Sequence, residues 1–220
     1  IGFNKWSVST DIFYKKMTNL IGLRPGTDYF NYRNSVLENL DLGINGRVIG
    51  AELGINYKSK NTDFWISYTL SKNERQLNSI NSGLWYPFNF DKTHELSLVF
   101  LSKLPKKWDI SVAFYYGTGR TFTLPSTYGV SPGLYTPITL IPIYEKYNNV
   151  RFPDNHRLDL SFTKNYETSK ISFGLYNAYA QNNPFYLEYN LIGQDARIEP
   201  KIKKVGLFGP IPFINYTKSF

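Results

Sequence analysis

The chain contains no cysteine, which excludes a disulfide framework and thiol chemistry. It has one methionine and two histidines. No zinc-ligand spacing, glycine-rich phosphate loop or EF-hand loop is present. Asp28, Glu38 and Asp41 come nearest to a calcium cluster, but their spacing does not form one. No metal or cofactor is therefore expected. Long apolar runs are also missing: mean hydropathy is −0.34, and no stretch approaches the roughly 20 apolar residues of a spanning helix. Insertion as a helical membrane protein is excluded. Insertion as a barrel is not, because barrel strands alternate apolar with polar residues and carry a weak signal each. Acidic residues are fewer than basic ones, 17 against 25, for a net charge of +8. No basic stripe interleaved with base-stacking rings lies on one continuous face, so nucleic acid is not the expected partner.

Aromatic residues are abundant, at 17% of the 220 residues, with 18 Tyr and 16 Phe. They are embedded in a period-two pattern rather than a helical one. In GRVIGAELGINYKSKNTDFWISYTL, Ile49, Ala51, Leu53, Ile55 and Tyr57 alternate with Gly50, Glu52, Gly54 and Asn56, while Val48 is out of phase. After a polar break, Phe64, Ile66, Tyr68 and Leu70 resume it. The same reading gives ten strands, at about 5–16, 46–58, 64–72, 94–104, 108–117, 156–165, 170–180, 185–192, 201–208 and 213–220. The first residues, NKWSVSTDIFYKK, already carry the strand pattern with no basic-then-apolar leader before them, so a fragment or processed product is expected.

The connections alternate long and short over the first six: 17–45, 59–63, 73–93, 105–107, 118–155 and 166–169. Antiparallel neighbours put alternate connections on opposite edges, so the long loops share one edge and the tight turns the other, as in outer-membrane barrels. The face opposite the apolar one holds Gly50, Gly54, Ser67, Ser111, Ala113, Ser161, Ser172 and Gly174, small residues suited to a crowded lumen. Trp6, Tyr57, Phe64, Trp108, Tyr166 and Phe220 fall at the tight-turn ends, and Tyr14, Tyr116 and Tyr179 at the opposite ends. Two such belts suit the two bilayer interfaces. Lys58, Lys60, Lys103, Lys106, Lys107, Lys164, Lys170, Lys201, Lys203, Lys204 and Lys218 read as lying near the tight-turn edge, facing anionic headgroups or forming a solvated rim. The expected fold is all-β, an antiparallel transmembrane β-barrel located in a bacterial outer membrane.

Candidate chemistry is sparse. His94 follows Asp91, and His156 lies between Asp154 and Asp159, so an Asp–His pair at the rim is one possible proteolytic base. The alternative is hydrogen bonding of loop backbone by these rim side chains. Arg47, Glu52, Arg157 and Asp159 fall on or near the lumenal face, either to hold something in the lumen or as ion pairs within the wall. The long connection GTGRTFTLPSTYGVSPGLYTPITLIPIYEKYNNVRFP is the best binding candidate, since loops of that length usually have a function. Arg120, Phe122, Tyr128, Tyr135 and Tyr144, with Trp85 and Tyr86 from SGLWYPFNF, offer stacking surfaces and a cation. Loop self-packing is the competing explanation.

The ordered segments GAELGINYKS, FNFDKTHELSLVF, FYYGTGRTFTLP, YNNVRFPDNHRLDLSF, SFGLYNAYAQNNPFYLEY and FGPIPFINYTKSF resemble the C-terminal barrel of TonB-dependent outer-membrane receptors, from about Gly46 onward. Phe220 is similar to the terminal aromatic that the barrel-assembly machinery recognises, with Tyr216 and Ile214 at the alternating positions before it; Lys218 departs from that pattern. The resemblance implies that the chain supplies about ten C-terminal strands of a larger barrel of about 22 strands closed around an N-terminal plug. It implies non-enzymatic import of a scarce nutrient (a siderophore, oligosaccharide or peptide). Its partners would be outer-membrane lipid, the plug and remaining strands, the TonB complex through the missing N-terminal part, and a surface lipoprotein. A self-contained ten-stranded outer-membrane protein, such as a protease, and a structural subunit of an outer-membrane assembly are the alternatives.

Overall fold

The computed structural model describes residues 2–24, 39–131, 139–194 and 197–219. The main sheet contains β1 (Gly2–Phe3), β2 (Trp6–Leu23), β3 (Leu40–Lys58), β4 (Thr62–Gln76), β5 (Tyr86–Pro87), β6 (His94–Leu104) and β7 (Trp108–Gly117). Four short strands follow in one connection: β8 (Thr121–Phe122), β9 (Thr127–Ser131), β10 (Thr139–Ile143) and β11 (Val150–Arg151). The sheet then continues through β12 (Asn155–Asn165) and β13 (Ser169–Tyr176). A hairpin, β14 (Tyr186–Gln194) and β15 (Arg197–Val205), precedes the last strand, β16 (Ile211–Lys218). The path is β1-β2-β3-β4-β6-β7-β12-β13-β16, with β5 added on β4, and every pairing is antiparallel. Among the described residues the path is open, ending at β1 and β16. No α-helix occurs among the described residues.

Among the described residues the wall has eight long strands, where ten are expected from the sequence. The stretches expected as wall strands at 185–192 and 201–208 do form strands, but β14 and β15 pair with each other, while β13 runs directly against β16 from Ser169↔Lys218 to Tyr176↔Ile211. Alternation identifies a strand without naming its neighbour. Placing this hairpin outside the wall extends the loop pattern. The connections at 59–61, 105–107 and 166–168 share one edge, and those at 24–39, 77–93, 118–154 and 177–210 share the other. Lys201, Lys203 and Lys204, expected at the tight-turn edge, therefore lie in a hairpin of the long-connection edge.

Register carries one apolar face across the whole wall. The row Val8↔Ile55↔Ile66↔Leu98↔Phe114↔Leu158 is unbroken, and Phe162↔Phe173↔Ile214 continues the face to the last strand. None of these side chains is buried; Ile12 is 84% and Ile214 79% exposed. The opposite face carries rows such as Ser9↔Gly54↔Ser67↔Ser97 and Ser111↔Ser161↔Gly174. Two glycines on it make room for rings. A Cβ on Gly50 would lie 2.5 Å from the ring of its cross-strand partner Phe13, and one on Gly174 2.8 Å from that of Phe213.

The buried apolar side chains among the described residues are Ile44, Ile80, Tyr86 and Phe152, all at the long-connection edge. The wall itself is a single layer. A sheet in water covers its apolar face with a second layer; here the described residues supply none.

Candidate functional site

The described residues of connections 77–93 and 118–154 interlock into a cap through side-chain-to-backbone bonds. The Asn81 amide donates to the Tyr147 carbonyl (3.3 Å) and accepts from the Tyr147 N–H (2.7 Å). Asn148 Nδ2 donates to the Pro87 carbonyl (2.6 Å), and the Thr121 hydroxyl to that of Phe88 (2.7 Å). The strongest clasp joins Arg151 to Asp91. Nη2 lies 2.6 Å from the carboxylate, and Nη1 donates to the carbonyls of Asp91 (2.9 Å) and Gly119 (2.7 Å). The same carboxylate, 3% exposed, accepts from the Asn73 N–H of β4 at 2.7 Å. The cap is thus tied to the wall. Gly119 is required there: a Cβ would sit 1.8 Å from the Phe152 carbonyl oxygen.

Between cap and wall lies a cavity of about 540 Å³. The wall contributes Asp41, Ile44 and Arg75, the first connection Tyr86 and Phe88, and the second Phe122, Tyr144 and Tyr147. Arg75 follows the polar face, opposite Gly46, so the cavity lies on the polar side of the sheet at its long-connection edge. Its guanidinium lies 4.0 Å from the Phe88 ring centroid and donates to Asn73 Oδ1 (2.6 Å) and the Glu74 carbonyl (3.0 Å). Among the described residues it has no carboxylate partner, whereas Arg24 and Asp41 pair at 3.1 Å. The Tyr86 and Tyr147 rings meet edge to face at 6.1 Å. Burial, with the nearby Asp41 charge and Tyr147, pushes the Tyr86 hydroxyl up to about 12, and burial also raises that of Tyr147. Both remain proton donors across the physiological range.

Of the side chains expected from sequence, Phe122, Tyr144 and Tyr86 line this cavity. Trp85 instead stacks on Arg47 at 4.2 Å, and Arg120 on Phe152 at 4.8 Å. Tyr128 belongs to the β9–β10 hairpin, and Tyr135 lies outside the described residues. Sequence reasoning missed Arg75, Phe88 and Tyr147. Only the aromatic density of YEKYNN hinted at Tyr147.

The histidines do not pair with the neighbouring aspartates. His94 Nδ1 lies 2.7 Å from the Tyr68 hydroxyl, and His156 Nδ1 2.7 Å from that of Tyr179. Asp154 accepts from the Tyr116 hydroxyl at 2.7 Å. By register His94, Tyr116 and His156 fall on the apolar face, in a belt near its long-connection end. Arg157 pairs with Asp159 at 3.0 Å and Arg47 with Glu74 at 2.7 Å, both within the wall. Ile214 and Tyr216 are exposed on the apolar face of β16; Phe220 lies outside the described residues. Comparison with protein-family models, characterised proteins and solved structures gave no match to this chain.

Proposed function

We propose that this chain is the C-terminal barrel wall and outer loops of a TonB-dependent outer-membrane receptor that imports a scarce nutrient. The observation that carries the reading is the single apolar face, in register across eight long strands and uncovered among the described residues, with every long connection at one edge. Such a face suits hydrocarbon. From Trp108 to Tyr116 is nine residues, at the lower end of the roughly 9–11 residues that a tilted membrane strand needs. The two open edges would pair with upstream strands of the same barrel, since unpaired strand edges do not persist in lipid.

In this reading the cap collects substrate (a siderophore, oligosaccharide or peptide), the polar face lines the passage, and an N-terminal plug coupled to the TonB complex gates it. The barrel-assembly machinery inserts the wall, and a surface lipoprotein is the remaining expected partner. No catalytic step is proposed. Both histidines are engaged by tyrosines on the apolar face, which favours interfacial anchoring over proteolysis.

The test is fractionation followed by intact mass of the denatured polypeptide carrying this sequence. The reading predicts recovery in the outer membrane and a mass several times 25.5 kDa. Recovery in a soluble fraction, or an outer-membrane protein of about that mass, would contradict it.

A further inference from the structure

We infer that the cavity between cap and wall binds a ring-bearing carboxylate, with the carboxylate on Arg75 and the ring body against Tyr86, Phe122, Tyr144 and Tyr147. This rests on the receptor reading for its biological sense, but the chemistry is read from the cavity itself.

Its volume of about 540 Å³ falls within the range of small-molecule sites, roughly 300–1,000 Å³. Its unspent polar groups include one charged donor, the Arg75 guanidinium, and no unpaired carboxylate. Arg75 bonds only the neutral acceptors Asn73 Oδ1 and the Glu74 carbonyl. The Tyr86 and Tyr147 hydroxyls have no hydrogen-bond partner among the described residues. The one carboxylate among the lining residues, Asp41, is paired with Arg24, and Asn148 Oδ1 accepts from the Thr123 hydroxyl at 3.4 Å. A cationic ligand would meet an unpaired guanidinium and no free carboxylate. A wholly apolar one would leave the guanidinium and hydroxyls without acceptors, which is costly away from water. A carboxylate matches the guanidinium fork. The aromatic walls then suit the C–H face of a sugar ring or the face of an aromatic ring. An acidic sugar and an aromatic acid share this chemistry.

The experiment is calorimetric titration of the full-length protein, purified in detergent from outer membranes, with digalacturonate, lactose and benzoate. The expected result is digalacturonate at least about tenfold tighter than lactose, as one charge-assisted bond supplies, with the difference erased by Arg75→Gln. Tyr147→Phe, which keeps the ring, weakens digalacturonate severalfold and covers the case in which the Arg75 variant fails to fold. Comparable binding of benzoate supports the carboxylate class with an aromatic acid as its source. No preference for either carboxylate over lactose, or a preference that survives Arg75→Gln, overturns the inference. The titration is independent of the mass and fractionation test. A correctly sized outer-membrane protein that ignores carboxylates sinks the ligand class alone, and a protein of the wrong size or compartment sinks the receptor reading alone.

Discussion

Replacing Arg151 by methionine should unlock the cap while leaving the wall intact. The substitution removes the donors to the Asp91 carboxylate and to the carbonyls of Asp91 and Gly119. The Asp91 carboxylate would stay buried with the Asn73 N–H as its remaining hydrogen-bond partner among the described residues. Breaking a fully buried pair costs about 3–5 kcal/mol. The Arg151 side chain is 32% exposed, so water reaches the vacated position and the cost falls to about 2–3 kcal/mol. Because the clasp lies at the long-connection edge, outside the ladder of β7, β12 and β13, that cost appears as local opening. The reporter is the Phe152 N–H, which donates to the Arg120 carbonyl at 2.9 Å. Its hydrogen-exchange protection should fall about 30- to 150-fold, while amides between Leu158 and Phe162 in β12 keep theirs. Asp91→Asn retains an acceptor for Asn73 and should cost only about 1–2 kcal/mol. The double variant should lose less than the sum of the singles, because the two side chains act as one unit. Unchanged protection at Phe152 in Arg151→Met, or equal losses in cap and wall, would refute the clasp.

Three further outcomes follow from the same geometry. Leu53→Arg and Val112→Arg put charge on the apolar face and should each destabilise the protein in bilayers by roughly 2–4 kcal/mol; Ser67→Asn and Ser111→Asn on the opposite face should cost far less, and equal urea midpoints for all four would count against the assignment of faces. Neutralising Lys106 and Lys107 in the turn between β6 and β7 should reduce retention of anionic phospholipid in native mass spectra, and unchanged retention would remove the headgroup role. The Tyr86 phenol, pushed up to about 12 by burial, should ionise later in ultraviolet titration than exposed tyrosines, with Tyr86→Phe deleting that late step. Since its folded value is raised, the stability it adds is complete below the ordinary value of about 10 and is lost as pH rises through the folded value; a Tyr86 step at the ordinary value would contradict its burial.

The wall was legible in the sequence because a period of two fixes which residues share a face, and a one-residue slip would turn every side chain over. Residues 94–104 and 108–117 form strands at the expected bounds, and Gly50, Ser67, Ser111 and Gly174 all lie on the polar face. Period alone does not choose partners: it reads β14 and β15 as wall strands with Lys201, Lys203 and Lys204 at the tight-turn edge, whereas the two strands pair with each other as a hairpin of the opposite edge. The cavity was less legible still. Its walls come from segments far apart in sequence, such as Asp41, Arg75 and Tyr147, and side-chain amides set their approach. Aromatic density in the long connection pointed to Phe122 and Tyr144 but gave no reason to choose Arg75 over Arg120.

The central claim is that one face of this sheet meets hydrocarbon and the other water. These 220 residues contain no cysteine; with any cysteine elsewhere in the full-length protein replaced, single spin labels are placed at each position from Asp109 to Tyr115 and the protein is reconstituted in bilayers. The account predicts period-two accessibility: labels at Ile110, Val112 and Phe114 collide with dissolved oxygen, and labels at Asp109, Ser111 and Ala113 with a water-soluble nickel chelate. Nickel reaching both sets equally, with no alternation, would contradict it.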